Sequence, residues 1–201
     1  MKVTAFNGSP RKKGNTFTCL SAVLEEIERE GIETELVQLG GKDLRGCIAC
    51  FRCFGKKDRR CHGRDDDMQG IIDAMLESDG ILIGSPTYFG SVSAEVKAVI
   101  DRAGLVARAN GFALSRKAGA AVVAVRRQGA TNVFEQINRF FLINNMIVPG
   151  STYWNLAIGL EPGDVLKDEE GMKTMRDLGR NMAWLIKKLK QPERLSSRKK
   201  T

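Results

Sequence analysis

The chain has 201 residues, a formal net charge of +8 and five cysteines. This length suits one compact domain whose core needs no disulfide staples. No apolar run reaches the roughly 18 residues that a membrane span requires, and the N-terminus MKVTAFNGSP lacks the apolar stretch and cleavage site of a secretory leader. We therefore expect a cytoplasmic protein with no membrane partner, in a compartment where disulfides are rare.

The positive charge is concentrated in two stretches. Residues 45–64 carry a net charge of +6 and residues 187–201 carry another +6, which leaves −4 for the rest of the chain. The protein is thus a mildly acidic body with a basic patch and a basic tail, and we predict that residues 191–201 are disordered. No nucleic-acid motif accompanies the tail, so we do not expect nucleic acid as a partner.

The first part of the chain alternates between strand and helix patterns. KVTAF at 2–6 predicts a strand, and apolar residues at helical spacing predict an amphipathic helix over 16–30. TELVQL at 34–39 predicts a second strand, whose mixed polarity is typical of a sheet edge. A cysteine-rich segment at 40–64 follows. The acidic residues 65–67 then suit the N-terminus of a helix, where carboxylates offset the helix dipole.

The second part continues the alternation. GILIG, from residue 80, and AGAAVVAV, at 118–125, are almost entirely apolar, as expected for strands buried on both faces of a parallel sheet. MIVPG at 146–150 predicts a fifth strand. Apolar residues at helical spacing predict helices around 96–103, 133–141 and 172–189. This pattern predicts a doubly wound α/β fold over residues 1–190, most simply a flavodoxin-like, five-stranded parallel sheet in the order 2-1-3-4-5, with the cysteine-rich insertion after strand 2.

The loop NGSPRKKGNT at 7–16 joins strand 1 to helix 1 and is suited to an anion. It matches neither the dinucleotide fingerprint nor the Walker A motif. Glycines free its backbone to turn N–H groups inward, and the helix N-terminus adds partial positive charge. An ordinary polar turn would use the same residue types, so both interpretations stay open. The candidate anion ligands are Ser9, Arg11, Gly14, Asn15 and Thr16.

A second loop, SPTYFGSVSAE at 85–95, leaves strand 3 at the same edge of the predicted sheet, across the switch point from the first loop. Pro86 stiffens it, and Tyr88 and Phe89 can present aromatic surface, although core packing would also explain them. The backbone amides from Thr87 to Ser91 can face polar ring atoms. A phosphate loop beside such a loop suits a planar ring attached to a phosphate, and FMN is the simplest candidate.

The pairing of GSPRKKGNT with SPTYFGSVSAEVKAVIDR resembles the flavodoxin-like NADPH-dependent FMN reductase superfamily over most of residues 1–190. The resemblance implies that the FMN phosphate is held by Ser9, Arg11, Asn15 and Thr16. It implies that the isoalloxazine is held by Pro86, Thr87, Tyr88, Phe89, Gly90 and Ser91. The loop RRQGA at 126–130 should close a third side, with Arg127 and Gln128 as contacts. GSTYWN at 150–155 is expected to follow strand 5 and to bring Tyr153 or Trp154 near the site.

Four of the five cysteines fall within GCIACFRCFGKKDRRC at 46–61, spaced C-x2-C-x2-C-x7-C. Zinc sites usually have two separated C-x2-C pairs or one pair with later histidines, and His62 keeps a zinc site open. Three cysteines at two successive x2 spacings are the run that wraps three corners of a [4Fe–4S] cluster, and a more distant cysteine can close the fourth. The pattern favours a cluster over free thiols, zinc or disulfides, in that order. Cys19 is expected to pack within helix 1.

Together with the two loops, this cysteine pattern resembles the compact motif of the iron–sulfur flavoprotein family. Members of that family bind a [4Fe–4S] cluster and FMN in one subunit, and they form homo-oligomers. The resemblance implies that the cluster ligands are Cys47, Cys50, Cys53 and Cys61, of which Cys61 follows the widest gap. Strands 1, 2 and 3 would deliver the cysteines and both flavin loops to one edge of the sheet.

These features predict an electron-transfer flavoprotein that couples one-electron donors to an acceptor reduced by the flavin. No acid–base or nucleophilic constellation is apparent, so we predict no catalytic side chains beyond the cofactors. The local positive charge is expected to raise the cluster potential and to steer acidic redox partners such as a ferredoxin. We also expect a small-molecule electron acceptor and a homo-oligomer. The alternatives are an NAD(P)H-dependent FMN or quinone reductase without a cluster, and a non-enzymatic redox or metal sensor.

Overall fold

A computed structural model describes residues 1–191 and shows a five-stranded sheet in the order β2-β1-β3-β4-β5, with every neighbouring pair parallel. The strands are β1 (Lys2–Asn7), β2 (Glu33–Gln38), β3 (Gly80–Pro86), β4 (Ala118–Val125) and β5 (Leu156–Ile158). The helices are α1 (Asn15–Arg29), α2 (Arg52–Lys56), α3 (Met68–Glu77), α4 (Ala94–Ala109), α5 (Ala130–Ile143) and α6 (Glu169–Leu189). The predicted fold class and strand order are confirmed. The predicted tail lies outside the described residues, apart from Gln191.

Helices cover both faces of the sheet. Strands β3 and β4 are buried along almost their whole length, which explains why their sequences are continuously apolar. Successive side chains of a strand alternate between faces. Ile83 and Val123 accordingly pack with α3, α4 and α5, whereas Leu82 and Val122 pack with α1 and α6. Among the helices of residues 1–191, none has the length and apolar character needed to cross a bilayer.

The fifth strand lies at Leu156–Ile158, so the prediction of a strand at 146–150 is wrong. Ile147 makes a single parallel bridge to Ala118 at the start of β4. Pro149 has no N–H to donate, so the ladder cannot continue through it. The chain leaves the sheet edge there and pairs with β4 again only at Leu156. The segment GSTYWN therefore precedes β5 instead of following it.

The cysteine-rich segment is an excursion between β2 and α3, as predicted. Its only regular element among the described residues is α2, a helix of five residues. The base of the excursion is closed by Asp43 and Asp67. The Asp67 N–H donates to the Asp43 carbonyl at 3.1 Å, and the Asp43 N–H donates to Asp67 Oδ2 at 2.9 Å. The excursion is therefore a loop whose two ends are held together by hydrogen bonds.

Helices α1 and α6 approach each other closely at Gly179. A Cβ built on Gly179 would lie 2.5 Å from the carbonyl oxygen of Val23 and 2.8 Å from the Cβ of Glu26. Gly70, on α3, has the opposite surroundings, because a Cβ there would have nothing within 4 Å. Replacing either helical glycine by alanine reduces backbone freedom, but only the replacement at Gly179 also creates a steric clash.

We expect Gly179→Ala to lower the free energy of unfolding by about 1–3 kcal/mol, because a backbone carbonyl cannot move aside as a side chain can. Gly70→Ala is the matched control, and it should raise the free energy of unfolding by about 0.5–1 kcal/mol through lost unfolded-state entropy. Urea titration of both variants measures the two changes. A stabilising Gly179→Ala would contradict the close α1–α6 contact.

Candidate functional site

Loops from four strands form an open cleft at the carboxyl edge of the sheet. It contains four of the five predicted anion ligands and the start of the second loop, together with residues at the ends of β4 and β5. The lining residues are Ser9, Arg11, Asn15, Thr16, Pro86, Thr87, Tyr88, Ala124, Arg126, Gly159 and Leu160. The predicted anion loop and the predicted ring loop therefore meet in one cleft, as the carboxyl-end rule requires.

The N-terminus of α1 lies at this cleft, because Asn15 and Thr16 both line it. Gly14 is the N-cap and supplies no side chain, and the first helical hydrogen bond runs from the Thr18 N–H to the Gly14 carbonyl at 3.1 Å. The amides of residues 15–17 thus have no helical acceptor. Asn15 is the first residue of the helix, and its Oδ1 accepts from the Gly163 N–H at 2.9 Å instead of from an amide of α1. This end of α1 is suited to a bound anion.

A hydrogen-bond network fixes the shape of the first loop. Asn7 Nδ2 donates to Gln38 Oε1 at 2.7 Å, and Gln38 Nε2 donates to the Ser9 carbonyl at 2.6 Å. Asn7 Oδ1 accepts from the Ser9 N–H at 3.1 Å, and Ser9 Oγ accepts from the Arg11 N–H at 3.2 Å. Sequence reasoning missed Asn7 and Gln38. The available signal was a pair of polar residues at the ends of strands 1 and 2, which the structure places in register.

The second loop folds back on itself in a tight turn. Tyr88 and Ser91 exchange hydrogen bonds of 3.0 and 2.9 Å, with Phe89 and Gly90 at positive φ between them. The Thr87 N–H donates to a carbonyl of β4 at 3.0 Å. Among the described residues, this turn leaves only the amides of Phe89 and Gly90 without such a partner, so of the five predicted amides these two are free for a polar ring atom. Phe89 is fully exposed at the tip of the turn, Gly90 and Ser91 are partly buried, and none of the three lines the cleft.

Thr87 carries an unsatisfied polar group in the cleft. Its hydroxyl oxygen is buried and has no hydrogen-bond partner in the structure. A buried polar atom without a partner costs about 1–3 kcal/mol. A ligand with a donor or acceptor at this point of the cleft would recover that cost. Of the buried side-chain oxygens without a partner in residues 1–191, that of Thr87 is the one whose residue lines the cleft.

The third side of the cleft differs from the prediction. Arg126 lines the cleft, whereas Arg127 and Gln128 are exposed and do not line it. Gly159 and Leu160 contribute a further wall that was not predicted. Both follow β5, so a correct position for strand 5 would have identified them by the carboxyl-end rule.

Tyr153 and Trp154 also lie outside the cleft lining. Their rings pack on each other with centroids 5.1 Å apart, and both side chains are more than half exposed. The prediction placed them near the site because it put them after strand 5. In the structure they precede β5 and belong to the segment that leaves the sheet edge.

A second pocket brings the four predicted cluster ligands together. Its lining comprises Cys47, Cys50, Cys53 and Cys61 together with Gly46, Ile48, Phe51, His62, Gly63, Arg64, Arg102, Leu105 and Val106. No carboxylate is among these residues, so thiols are the dominant ligands that the pocket offers. All five cysteines of the chain are free thiols. Within residues 1–191, no group of three or more His, Cys, Asp or Glu side chains forms a ready metal site.

The backbone of the excursion turns toward these sulfurs. Ala49 and Phe51 adopt left-handed conformations with φ of 50° and 53°, which is uncommon for residues with a side chain. The Ala49 N–H donates to Cys47 Sγ at 3.4 Å. Such strained residues persist where the surrounding structure imposes them, and they cluster at functional sites.

A buried ion pair ties the excursion to α4. Arg102 and Asp66 have side chains that are each 1% exposed, and Arg102 Nη2 donates to Asp66 Oδ1 at 2.9 Å. Burial by itself would raise the pKa of Asp66, but the hydrogen bonds from Arg102 hold it below the ordinary aspartate value. Arg102 Nε also donates to Cys61 Sγ at 3.2 Å. Sequence reasoning missed both residues, because nothing local in a helical stretch marks an arginine as buried.

An anion loop and a ring loop on a 2-1-3-4-5 parallel sheet define a flavodoxin-like protein. The model of the NADPH-dependent FMN reductase family matches residues 1–161. An iron–sulfur flavoprotein of Methanocaldococcus jannaschii is 41% identical over 198 residues, which cover 95% of this chain and 100% of the relative. Another, from Methanosarcina thermophila, is 34% identical over 184 residues, which cover 90% and 93%. The chain therefore belongs to the iron–sulfur flavoproteins within the NADPH-dependent FMN reductase family, and the predicted family is confirmed.

Solved structures support the same fold. RosB, whose structure contains 8-demethyl-8-formylriboflavin-5'-phosphate, superposes with a TM-score of 0.75 at 19% identity. The superposition covers 94% of this chain and 80% of RosB. At this level of identity the similarity establishes the fold alone.

The fifth cysteine differs sharply from the other four. Cys19 is buried inside α1, and burial, with a smaller effect from Asp168, raises the pKa of its thiol to about 12. Cys47 and Cys50 are exposed. Because the thiolate is the reactive form, we expect iodoacetamide at about pH 8 to modify Cys47 and Cys50 of the metal-free protein and to leave Cys19 intact. Peptide mass spectrometry measures each site.

Unfolding the same sample in urea is the control, because Cys19 should then react like the others. If Cys19 of the folded protein reacted as fast as Cys47, the burial of Cys19 would be contradicted.

Proposed function

We propose that the chain is an electron-transfer flavoprotein that binds FMN in the cleft and a [4Fe–4S] cluster on Cys47, Cys50, Cys53 and Cys61. The observation that carries the proposal is the convergence of these four thiols in one pocket, at the same edge of the sheet as the cleft. When bound, the cluster supplies one-electron transfer and the flavin supplies one- or two-electron transfer. The protein would couple one-electron donors to an acceptor that the flavin reduces.

The cleft fits the two chemical parts of FMN. The unused amides of α1 and the hydroxyls of Ser9 and Thr16 would bind the phosphate, and the exposed guanidinium of Arg11 would add charge. The unpartnered hydroxyl of Thr87 would bind a polar edge of the ring. No carboxylate lines the cleft to repel the phosphate. The names of the family and of its iron–sulfur relatives support the same cofactor.

The second pocket fits a cluster by its donors. Iron–sulfur clusters of this type are held by four cysteine thiolates, and the pocket supplies four thiols without a competing carboxylate. N–H groups directed at cysteine sulfurs stabilise the added negative charge of a reduced cluster. The Ala49 and Arg102 donors are in position to do this for Cys47 and Cys61. The names of the relatives are a further, independent support.

The surroundings of the cysteines favour an acidic protein as electron donor. The basic residues between positions 45 and 64 are all exposed: Arg45, Arg52, Lys56, Lys57, Arg59, Arg60 and Arg64. Exposed charge of one sign attracts a partner of the opposite sign over a distance that shrinks as ionic strength rises. A ferredoxin has the required chemistry, and a small molecule is the proposed acceptor.

We also propose that the chain forms homo-oligomers. Several large apolar side chains are more than half exposed, and exposed apolar surface of this kind commonly marks contacts between proteins. They include Phe51, Leu142, Tyr153, Trp154, Leu166 and Trp184.

Anaerobic purification followed by flavin, iron and sulfide assays tests the proposed cofactors. We expect FMN together with about four iron and four sulfide per chain. Cys53→Ser should lose the iron and sulfide and retain FMN, whereas Cys19→Ser, at a buried thiol outside the pocket, should retain both. FMN without iron would contradict the cluster and favour an NAD(P)H-dependent FMN or quinone reductase. A purified protein that contains neither FMN nor iron would contradict both of these functions and favour the redox or metal sensor.

Arg11 provides a test of the cleft itself. We expect Arg11→Met to weaken FMN binding roughly 10-fold, or about 1.4 kcal/mol, because one charged contact to the phosphate is removed. Lys12→Met is the matched control, since Lys12 is an exposed cation in the same loop and does not line the cleft. Fluorescence titration of the deflavinated variants with FMN measures both affinities. Equal losses in the two variants would indicate a general charge effect and contradict the assigned contact.

A further inference from the structure

Arg102 is the largest fully buried side chain of the described residues and the only arginine among the buried ones. It projects from α4 into the base of the cysteine excursion. A buried ion pair is a poor way to gain stability, because well-packed apolar residues of similar volume are often as good or better. The presence of Arg102 and Asp66 in this position therefore calls for a purpose other than packing.

The hydrogen bonds of Arg102 show what the pair holds in place. Nη1 donates to the Arg45 carbonyl at 3.0 Å and to Asp66 Oδ2, and Nη2 donates to Asp66 Oδ1 at 2.9 Å. A guanidinium is planar and has five N–H groups in a fixed fork. Once the carboxylate of Asp66 holds the fork, the Nε–H has a fixed direction. It points at Cys61 Sγ, 3.2 Å away.

Cys61 is the thiol that most needs an independent support. It lies eight residues beyond Cys53, whereas the other three cysteines are spaced by three residues and share one short stretch of chain. Its backbone N–H donates to Gln69 Oε1 at 3.1 Å, so α3 holds its main chain. Arg102 of α4 contacts its sulfur. Two helices of the main domain thus fix the one cysteine that the local sequence cannot fix.

We propose that Arg102 is a positioning residue for Cys61: oriented by Asp66, its Nε–H holds the sulfur of Cys61 in the ligand position and raises the reduction potential of the cluster. This inference rests on the proposed function. Outer groups that orient a metal ligand typically contribute 10- to 100-fold to metal affinity. Hydrogen bonds to cluster sulfurs favour the reduced, more negative state.

The pair also predicts the sign of each perturbation. Asp66 offsets most of the charge of Arg102, so the cluster senses mainly the N–H donor in the native protein. Arg102→Met would remove that donor and leave a buried carboxylate, which disfavours the reduced state and lowers the potential. Asp66→Asn would leave the buried guanidinium uncompensated, which favours the reduced state and raises the potential. A role in folding alone has no reason to move the two potentials in opposite directions.

The experiment measures iron content and cluster reduction potential in the anaerobically purified full-length protein, by iron assay and by redox titration followed by electron paramagnetic resonance. We expect Arg102→Met to lower the potential and to speed iron loss to a chelator roughly 10-fold, and Asp66→Asn to raise the potential. Arg60→Met is the matched control. It removes the same charge from an exposed residue next to Cys61, and it should leave the chelation rate unchanged and move the potential less than Arg102→Met.

The double variant Arg102→Met with Asp66→Asn keeps the test decisive if a single variant does not fold, since it buries no unpaired charge. Its potential should lie between those of the single variants and below that of the native protein, because the N–H donor is absent. A double variant with the native potential and native chelation rate would overturn the role of Arg102, as would single variants that shift in the same direction. A native protein without iron and sulfide would instead overturn the proposed function, and this inference with it.

Discussion

Parallel pairing of β1 with both β2 and β3 is the constraint on which the candidate sites depend. Because the three strands run the same way, their following loops leave at one edge, and each loop carries a different part of the proposed chemistry. The loop that follows β1 packs so closely on its neighbours that glycines are needed at the points of contact. The Gly8 N–H donates to the Gly84 carbonyl at 2.8 Å, and a Cβ on Gly40 would lie 2.5 Å from the Ser9 carbonyl oxygen. The backbone of the anion loop thus packs directly on β3 at Gly84 and on the start of the cysteine-rich excursion at Gly40.

The conformation of the cysteine-rich excursion is fixed by its contacts with the main domain. It has little regular structure, and its described side chains include no buried apolar core of their own, since the segment from residue 45 to 60 is exposed except at Cys53. What shapes it are contacts to the main domain: the paired ends at Asp43 and Asp67, and the fork of Arg102 on Asp66. A segment of this kind gains its conformation from a few polar anchors and from whatever its thiols bind, as small metal-binding modules do.

Much of the fold could be predicted because strong local patterns determine it. Continuous apolar runs identify β3 and β4, and helical spacing identifies α1 and α6, so the sheet order follows from general topology rules. Strand 5 could not be predicted from its pattern, because MIVPG and LAI are both short apolar stretches after α5, and Pro149 interrupts the ladder of the first. The prediction named Arg127 where the structure has Arg126. Successive side chains point in opposite directions, so an error of one residue at the end of β4 selects the wrong arginine. Arg102, Asp66, Asn7 and Gln38 act through contacts between distant parts of the chain, which no local pattern records.

The unpartnered hydroxyl of Thr87 has a thermodynamic consequence for the whole molecule. A native state that leaves this buried oxygen without a partner is less stable than one in which a ligand satisfies it. Ligand binding and folding are then linked quantities, because a ligand that binds only the native state shifts the unfolding equilibrium by mass action. The supply of that ligand in the cell would therefore govern how much of the protein escapes proteolysis, and not merely how much of it is active.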